Sequence, residues 1–257
     1  MKYGIVVPLK SKTISKNWDI TIASLTATLS SIKNQLVKNY RVIVVGHEFP
    51  KSVMQMFPQT DFISVDFPAP NKQSPNFCHK QLVNDKNLKI ATGIKFLCSE
   101  KINYWFALDA DDLISRDFLQ VCEKVNGKAG AIIEGGYLIY QNQQRIIHTE
   151  KMHLHCGSTS ILANEYINAP AVINKHSIKQ IPWCRYSHMN MDKFFKNDIK
   201  QPYVKITEPV LGYVLASGDN ISDKWRDNYW KKFKAFIVPY VRGRKINAKI
   251  KKHFSLG

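Results

Sequence analysis

A regular alternation of short apolar runs with helically periodic segments is the feature that most constrains the fold of this chain. The runs YGIVVPL, YRVIVVG, DFISVDF and NYWFAL are rich in β-branched and aromatic residues, which is typical of buried strands. Between them, apolar residues recur at helical spacing: Leu25, Leu29, Ile32 and Leu36 in one segment, and Leu88, Ala91, Ile94 and Leu97 in another. Strands that alternate with helices predict the α/β class, with a mainly parallel central sheet flanked by helices.

The chain becomes less regular after the fourth of these strands. The stretch SRDFLQVCEKV predicts a helix whose N-cap is Ser115. The stretch AGAIIEGGYLIYQNQQRIIH predicts two strands that form a hairpin, with Gly135 and Gly136 inside the first strand. From about His153 onward, aromatic, histidine, glycine and polar residues are mixed, and periodicity no longer assigns elements clearly.

Positive charge is concentrated at the end of the chain. The formal net charge of the 257 residues is +17. Residues 224–257 contain eight Lys, three Arg and one Asp, and therefore carry +10 of that total. Such a basic tail predicts an anionic partner, which could be a lipid surface, a nucleic acid or an acidic polymer. A solvated basic helix that aids solubility is the alternative.

The cysteines and the hydropathy bear on the location of the protein. The five cysteines are odd in number, widely spaced and free of any Cys-x-x-Cys motif, which favours a reducing compartment over a disulfide framework. No apolar run approaches the roughly 20 residues of a membrane span, and the apolar stretch in MKYGIVVPLK is too short for a signal peptide. We therefore expect a cytoplasmic protein, with a peripheral position on the inner face of a membrane as a variant of that expectation.

The strand NYWFAL runs directly into three carboxylates, Asp109, Asp111 and Asp112, here called the acidic cluster. Like charges this close repel and raise each other's pKa, so either a bound cation or exposure to water has to relieve them. Ligands of open parallel sheets bind outside the carboxyl ends of the strands, where this cluster is predicted to lie. Because Mg²⁺ and Mn²⁺ are held by one or two carboxylates together with phosphate oxygens, the cluster predicts a cation site. The alternative is a solvated turn in which an aspartate caps the next helix.

Taken together, these segments resemble the glycosyltransferase family 2 type of GT-A fold. The resemblance is carried by a first strand ending in Val-Pro, the helical SLTATLSSIKNQ, the strand RVIVVGHE and the run into LDADD, in that order. It covers about residues 3–125 and returns in GYVLASGDNIS, which is similar to the family's Y-x-x-H-x-x-N-x-S segment. It implies a domain over residues 1–222, with a nucleotide-binding half (1–125) and an acceptor half (126–222), followed by a basic tail over 223–257.

The resemblance implies a metal-dependent glycosyltransferase that acts with inversion. The donor would be a UDP- or GDP-linked sugar, the cofactor Mn²⁺ or Mg²⁺, and the acceptor a glycan or a lipid-linked glycan, as in surface polysaccharide assembly. Asp111 would be the main metal ligand, with Asp109 beside it. Carried over residue by residue, the contacts to the nucleotide-sugar would come from Pro8, Leu9, Glu48, Asp85, Lys86, Lys89, Asp109 and Asp112.

Transfer with inversion also needs a general base that takes the proton of the acceptor. In the family this base is an acidic residue at the start of a later helix, and Asp192 in SHMNMDKFF matches it, although Met191 stands where the family usually has Glu. His188, four residues earlier, is the competing base. The chain departs from the family near its end, where Ala216 or Ser217 replaces a histidine near the diphosphate, so that contact is either missing or supplied elsewhere.

Two alternative functions stay open at this point. A nucleotidyltransferase also combines a nucleotide, a cation and an α/β sheet, but it usually has a Gly-rich basic loop after the first strand, and PLKSKTISKNW contains no glycine. A non-catalytic protein of the same fold would explain the missing histidine.

In MHLHCGS, the residues His153, His155 and Cys156 would suit zinc but lack a convincing partner pair, so a polar wall on the acceptor side, with Gly157 in a turn, is favoured.

The basic tail interleaves Lys and Arg with aromatic residues, namely Trp225, Trp230, Phe233, Phe236 and Tyr240. This mixture is typical of a membrane interface, with rings at headgroup level and lysines facing anionic lipid through residues 224–257. It also suits single-stranded nucleic acid, a partner that the transferase interpretation disfavours. Pro239 excludes one long uninterrupted helix. The structural alternative is that residues 225–236 pack on the domain and only the last stretch is free.

Overall fold

The computed structural model describes residues 1–215 and 229–256, which form two sheets flanked by helices. The strands are β1 (Tyr3–Pro8), β2 (Tyr40–Gly46), β3 (Asp61–Ser64), β4 (Tyr104–Ala107), β5 (Asp112–Ile114), β6 (Gly130–Ile133), β7 (Gly136–Tyr140), β8 (Arg145–Thr149), β9 (Ser160–Ala163), β10 (Val204–Ile206), β11 (Leu211–Leu215) and β12 (Arg244–Lys245). The helices are α1 (Trp18–Lys33), α2 (Lys51–Met56), α3 (His79–Phe96), α4 (Phe118–Val121), α5 (Pro182–Arg185), α6 (Met191–Lys193), α7 (Tyr229–Arg242) and α8 (Ala248–Phe254).

The central sheet has seven strands in the order β10-β6-β9-β4-β1-β2-β3. The pairs of β1 with β2 and β4, of β2 with β3 and of β6 with β10 are parallel, whereas β9 runs antiparallel to both of its neighbours. The predicted fold class, an α/β fold with a mainly parallel central sheet flanked by helices, is therefore confirmed.

The central strands are apolar throughout because helices cover both faces of the sheet. On one face, Ile5 and Val7 of β1 belong to the same core as Leu25 of α1. On the other face, Val6 packs in a second core with residues of α3. Helix α3 approaches the sheet so closely that a Cβ at Gly93 would lie 2.6 Å from the side chain of Val6. Burial of each such aliphatic side chain contributes about 1.5–3 kcal/mol to stability.

The second sheet has five strands in the order β12-β8-β7-β11-β5. Its core contains Ile139 and Ile146, together with Ile250 and Phe254 from α8. The end of the basic tail is therefore packed: β12 extends this sheet and α8 covers it, which differs from the alternative in which the last stretch is free.

The predicted helical stripes lie in α1 and α3, but α1 ends earlier than its stripe suggested. The side chain of Asn17 caps the first turn of α1. Leu25, Leu29 and Ile32 are buried, whereas Leu36 follows the helix and is 49% exposed. The spacing of Leu36 continues the helical period, but the chain has already turned away towards β2.

The prediction of Ser115 as an N-cap is wrong. Helix α4 begins at Phe118, and the hydroxyl of Ser115 donates to the carboxylate of Asp117 at 2.6 Å instead of capping a helix. Helix α4 is short and continues as a 3₁₀ turn over Cys122–Val125.

The prediction of two strands in AGAIIEGGYLIYQNQQRIIH is also corrected, because the stretch contains three. Strand β6 belongs to the central sheet, and only β7 and β8 form a hairpin, in the second sheet. Gly135 lies between β6 and β7, where a Cβ would be 2.0 Å from the carbonyl oxygen of Thr207. The chain crosses from one sheet to the other at a point with no room for a side chain.

Within residues 1–215 and 229–256, no helix combines the length and the apolar character that a membrane span requires. The predicted features at Ala216, Ser217 and Trp225 lie outside the described residues.

Candidate active site

A cavity of about 350 Å³ opens at the carboxyl end of the central sheet, beside β1 and β4. In the sheet, β2 and β3 lie on one side of β1, and β4 lies on the other side. Ligands of open α/β sheets bind where the strand order reverses in this way. Pro8 and Leu9, at the end of β1, and Asp109, just after β4, all line the cavity.

The acidic cluster is divided between this cavity and the protein interior. Asp109 and Asp111 line the cavity, whereas Asp112 begins β5 and is only 1% exposed. Ser158 holds the turn: its Oγ accepts from the backbone N–H of Asp109 at 2.8 Å and donates to Oδ2 of Asp112 at 2.6 Å. The backbone N–H of Asp112 donates to the carbonyl of Asp109 at 3.0 Å and closes the turn. These bonds hold Asp112 in the interior and leave the other two carboxylates at the cavity.

Burial and mutual repulsion shift the titration of the acidic cluster. Burial, followed by the charge of Asp109, raises the pKa of Asp111 to about 6, although Lys10 and Lys86 act in the opposite direction. Burial, followed by the charges of Asp111 and Asp109, raises the pKa of Asp112 well above its ordinary value. Oδ1 of Asp112 has no hydrogen-bond partner among the described residues. The cluster thus holds more negative charge than its surroundings stabilise, and a cation would relieve the repulsion.

Lys86 of α3 supplies positive charge at the same point. Its ammonium forms an ion pair with Asp109. Burial by itself lowers the pKa of Lys86, but the charge and the hydrogen bond of Asp109 outweigh burial and raise it. Gly157 lies against this pair, because a Cβ there would be 2.7 Å from Nζ of Lys86 and 2.9 Å from Oδ2 of Asp109. Since Lys10 and Lys16 also line the cavity, anionic groups of a ligand would meet several cations there.

A second charge pair lies deeper in the cavity wall, where Asp85 and Lys89 are 6% and 0% exposed. Nζ of Lys89 donates to Oδ2 of Asp85 at 2.6 Å, and burial lowers the pKa of Lys89 despite the opposing charge of Asp85. Oδ1 of Asp85 has no hydrogen-bond partner among the described residues and lies 3.9 Å from Nε2 of His47. A buried acceptor without a partner costs about 1–3 kcal/mol, so a ligand that donates to this oxygen would bind more tightly.

Glu48 does not line this cavity. Its carboxylate accepts a hydrogen bond from the backbone N–H of Lys12, and it thereby fixes the loop that follows β1. That loop carries Lys10, a cavity residue that the sequence reasoning did not single out. Ser158 and Tyr213 were missed as well. They approach the acidic cluster through long-range packing and β-pairing, for which the sequence carries no periodic signal.

The two predicted bases occupy different positions. Asp192 lines a second cavity of about 160 Å³ and lies 3.4 Å from Nζ of Lys196. His188 lines both cavities. Burial, followed by the charge of Lys86, lowers the pKa of His188, although Asp109 acts in the opposite direction. The His188 imidazole is therefore neutral near pH 7 and able to accept a proton.

The segment MHLHCGS forms one wall of the main cavity. Residues Met152–Leu154 form a 3₁₀ turn, so His153 and His155 do not share the face of a strand. His155, Cys156 and Gly157 line the main cavity, and burial lowers the pKa of His155. In the part of the chain that the structure describes, no three His, Cys, Asp or Glu side chains are grouped as metal ligands. A cation at Asp109 and Asp111 would therefore need further oxygen ligands from a bound molecule, which is common for Mg²⁺.

Comparisons with known proteins give likenesses of structure only. No protein-family model matches the chain, and no curated protein matches it. S. aureus TarS 1–349 in complex with UDP is 10% identical, with a TM-score of 0.45, over 84% of this chain and 61% of that structure. This chain therefore spans less than two thirds of the length of TarS 1–349.

Two further solved structures match over most of their length. HddC from Yersinia pseudotuberculosis is 13% identical, with a TM-score of 0.42, over 82% of this chain and 92% of that chain. The 4-diphosphocytidyl-2C-methyl-D-erythritol synthase from Anaerococcus prevotii is 11% identical, with a TM-score of 0.49, over 92% of this chain and 96% of that chain. At such identities and TM-scores, the comparisons carry no conclusion about the reaction of this chain.

Proposed function

We propose that this protein is a glycosyltransferase that moves a sugar from a UDP- or GDP-linked donor to a glycan or a lipid-linked acceptor. The observation that carries this proposal is the cavity at the carboxyl ends of β1 and β4, where Asp109 and Asp111 lie among Lys10 and Lys86. A nucleotide diphosphate with its cation presents both signs of charge in one ligand. Carboxylates suit the cation, and lysines suit the phosphate oxygens.

Asp111 and Asp109 are the residues that would hold Mn²⁺ or Mg²⁺. They fit such an ion because burial, followed by the charge of Asp109, raises the pKa of Asp111 to about 6. A divalent cation would remove the repulsion between the two carboxylates. The bound ion would stabilise the negative charge of the departing diphosphate. Asp112 would act indirectly, since its bond from Ser158 fixes the turn on which both ligands lie.

The nucleoside would lie along Pro8 and Leu9, at the end of β1. Oδ1 of Asp85 is a buried acceptor, so an N–H group of the base would provide its missing hydrogen bond. Lys89 holds the other oxygen of that carboxylate at 2.6 Å and keeps it in place. Glu48 would contribute through the loop that it fixes and not by direct contact.

In the proposed reaction, the bond between the anomeric carbon and the diphosphate oxygen breaks, and a bond from that carbon to an acceptor oxygen forms. Direct displacement inverts the anomeric carbon, and the proton of the acceptor hydroxyl passes to a general base. We favour His188 for this role, because its lowered pKa leaves it neutral near pH 7 and it lines both cavities. Asp192, which faces only the second cavity beside Lys196, is the alternative base.

A nucleotidyltransferase is the second candidate, and the position of Lys10 and Lys16 favours it. Both lysines follow β1 and line the cavity, where they would also suit a triphosphate. The two reactions differ in what they bind and release. A nucleotidyltransferase takes a nucleoside triphosphate and releases pyrophosphate, whereas a glycosyltransferase takes a nucleotide-sugar and releases a nucleoside diphosphate.

The test is calorimetric titration of UDP, GDP, UTP and GTP, each with Mn²⁺, with Mg²⁺ and with a chelator. Wild type is expected to bind one diphosphate in a metal-dependent manner, and Asp111→Ala is expected to lose at least about 100-fold in affinity, since it removes the main ligand of the cation. Glu123→Ala is the matched control, because it deletes an exposed carboxylate on the 3₁₀ turn after α4.

Sugar-nucleotide panels of the matching base would then be assayed for release of the nucleoside diphosphate. Metal-dependent binding of a triphosphate, with release of pyrophosphate, would replace the proposal by the nucleotidyltransferase. Absence of any nucleotide binding in wild type would refute both and leave a non-catalytic protein.

A further inference from the structure

The end of α7 presents large apolar side chains to solvent. Phe236, Tyr240 and Val241 are 58%, 48% and 76% exposed. The rings of Phe236 and Tyr240 are in contact, with centroids 5.6 Å apart. Scattered apolar residues are ordinary on a protein surface, but grouped ones mark a surface that binds something.

The second sheet holds this group of side chains in place. Pro239 is buried, which directs that side of α7 towards the protein. Arg145 of β8 donates to the carbonyl of Gly243 at 3.1 Å and stacks on the ring of Tyr240 at 4.6 Å. The apolar side chains are therefore presented by an anchored helix end and not by a loose terminus.

Exposed positive charge follows these apolar side chains along the chain. Residues 229–257 contain nine Lys and Arg and no Asp or Glu. Arg242, Arg244 and Lys245 follow Val241 directly and are exposed. We call the set of Phe236, Tyr240, Val241, Arg242, Arg244 and Lys245 the C-terminal patch. Exposed apolar side chains next to exposed cations match the interface of an anionic bilayer, where apolar groups enter the headgroup region and cations meet lipid phosphates.

We propose that the C-terminal patch docks the protein onto an anionic membrane surface. A nucleic acid fits the patch less well. Arg145 already covers one face of the Tyr240 ring, so that face is not available for base stacking. The most exposed member of the patch, Val241, is aliphatic and offers a nucleic acid nothing to stack on, whereas a bilayer stabilises its burial.

The test measures co-sedimentation of the full chain with phosphatidylcholine vesicles that contain or lack phosphatidylglycerol. Wild type is expected to bind the anionic vesicles and to leave them as salt is added. Arg242→Gln/Lys245→Gln is expected to lower the partition coefficient about 10- to 30-fold, and Phe236→Ser/Val241→Ser about tenfold. All four positions are exposed, so the variants are expected to fold, which thermal unfolding would verify.

Matched control variants remove side chains of the same types at exposed positions outside the C-terminal patch. Lys51→Gln/Lys128→Gln removes two exposed charges, and Met54→Ser/Met56→Ser removes two apolar side chains of α2 that are 41% and 47% exposed. Unchanged vesicle binding in both controls supports the patch. Equal losses in patch and control variants, or no preference for anionic vesicles, overturns the proposal. It is overturned too if a single-stranded oligonucleotide binds tightly while Phe236→Ser/Val241→Ser leaves vesicle binding intact.

Discussion

The two edges of the central sheet hold their acidic residues in opposite electrostatic settings. At the amino ends of the strands, Nζ of Lys2 lies 2.8 Å from Glu100, while Arg41 lies 2.7 Å from Asp61 and 3.2 Å from Glu100. We call these four residues the amino-edge network. At the carboxyl ends, the acidic cluster gathers three carboxylates next to one another. One edge pairs each carboxylate with a cation, and the other accumulates like charge.

The titration of the two groups follows from these settings. The hydrogen bond from Lys2, aided by the charge of Arg41, lowers the pKa of Glu100. Burial and Asp109 raise the pKa of Asp111 to about 6. The amino-edge network therefore stabilises the fold at neutral pH, and the acidic cluster opposes it. If the acidic cluster binds a cation as proposed, it has to hold charge that the protein alone does not neutralise, and this lowers the stability of the protein without the cation.

Asp111→Asn is expected to have the largest effect on stability, and the effect is a gain. At about pH 8 the free energy of unfolding should rise by up to about 3 kcal/mol, because a pKa of about 6 in the folded state stands against 3.8 in the unfolded state. The partial exposure of Asp111 reduces that figure. The raised pKa means that the penalty is absent below about pH 4, grows as pH rises from about 4 to about 6, and is fully present above that, so urea unfolding at about pH 4 and pH 8 checks it. An equal gain at both pH values would contradict the proposed cause.

Lys86→Met is expected to lower the free energy of unfolding by about 1–2 kcal/mol at neutral pH, because Lys86 pairs with Asp109 and also offsets the charges of Asp111 and Asp112. The pair itself is as exposed as the pairs of Arg41, so its larger effect comes from the three carboxylates together. In combination with Asp111→Asn the loss should shrink, since less like charge remains to be neutralised. A double-mutant cycle in urea measures that coupling directly. Strict additivity of the two substitutions would show that Lys86 does not stabilise the acidic cluster.

Arg41→Ala is expected to cost about 1 kcal/mol, although it removes two ion pairs of the amino-edge network. The side chains of Arg41, Asp61 and Glu100 are 36%, 28% and 30% exposed, and water screens such pairs. Chemical denaturation at low and high salt checks both the size and the origin of the loss. A cost larger than that of Lys86→Met would reverse the ranking of the two edges.

Glu100→Gln is expected to have the smallest effect, and its pH dependence runs opposite to that of Asp111→Asn. Because the pKa of Glu100 is lowered in the folded state, its contribution is present above the ordinary pKa of a glutamate and is lost as pH falls. Thermal midpoints of wild type and variant should therefore differ slightly at neutral pH and converge in acid. A difference that grows towards acid would show that the pairing with Lys2 and Arg41 is misassigned.

The sequence by itself determined one part of the central sheet, namely strands β1 to β4 and the helices α1 and α3. Strands β1, β2 and β4 are largely buried, β3 is half-buried, and each helix buries one stripe, which leaves a local and periodic signal. Strands β9 and β10 of the same sheet were not predicted. The position of the acidic cluster at the carboxyl end of β4 followed from the same pattern. The resemblance implied that Asp109, Pro8 and Leu9 share one site, and the parallel pairing of β1 with β4 brings them to the same end of the sheet.

Only the tertiary structure decided which residues complete the candidate site. Ser158 lies 49 positions after Asp109 in the chain, yet its hydroxyl bonds the turn of the acidic cluster. Strand β11 brings Tyr213 against Asp112 by pairing with β5. The crossing at Gly135 divides one predicted strand between two sheets, and it belongs to the same category. So does the position of His188, which lines both cavities. Contacts between distant segments depend on how packed elements meet, and a single sequence leaves no periodic trace of such meetings.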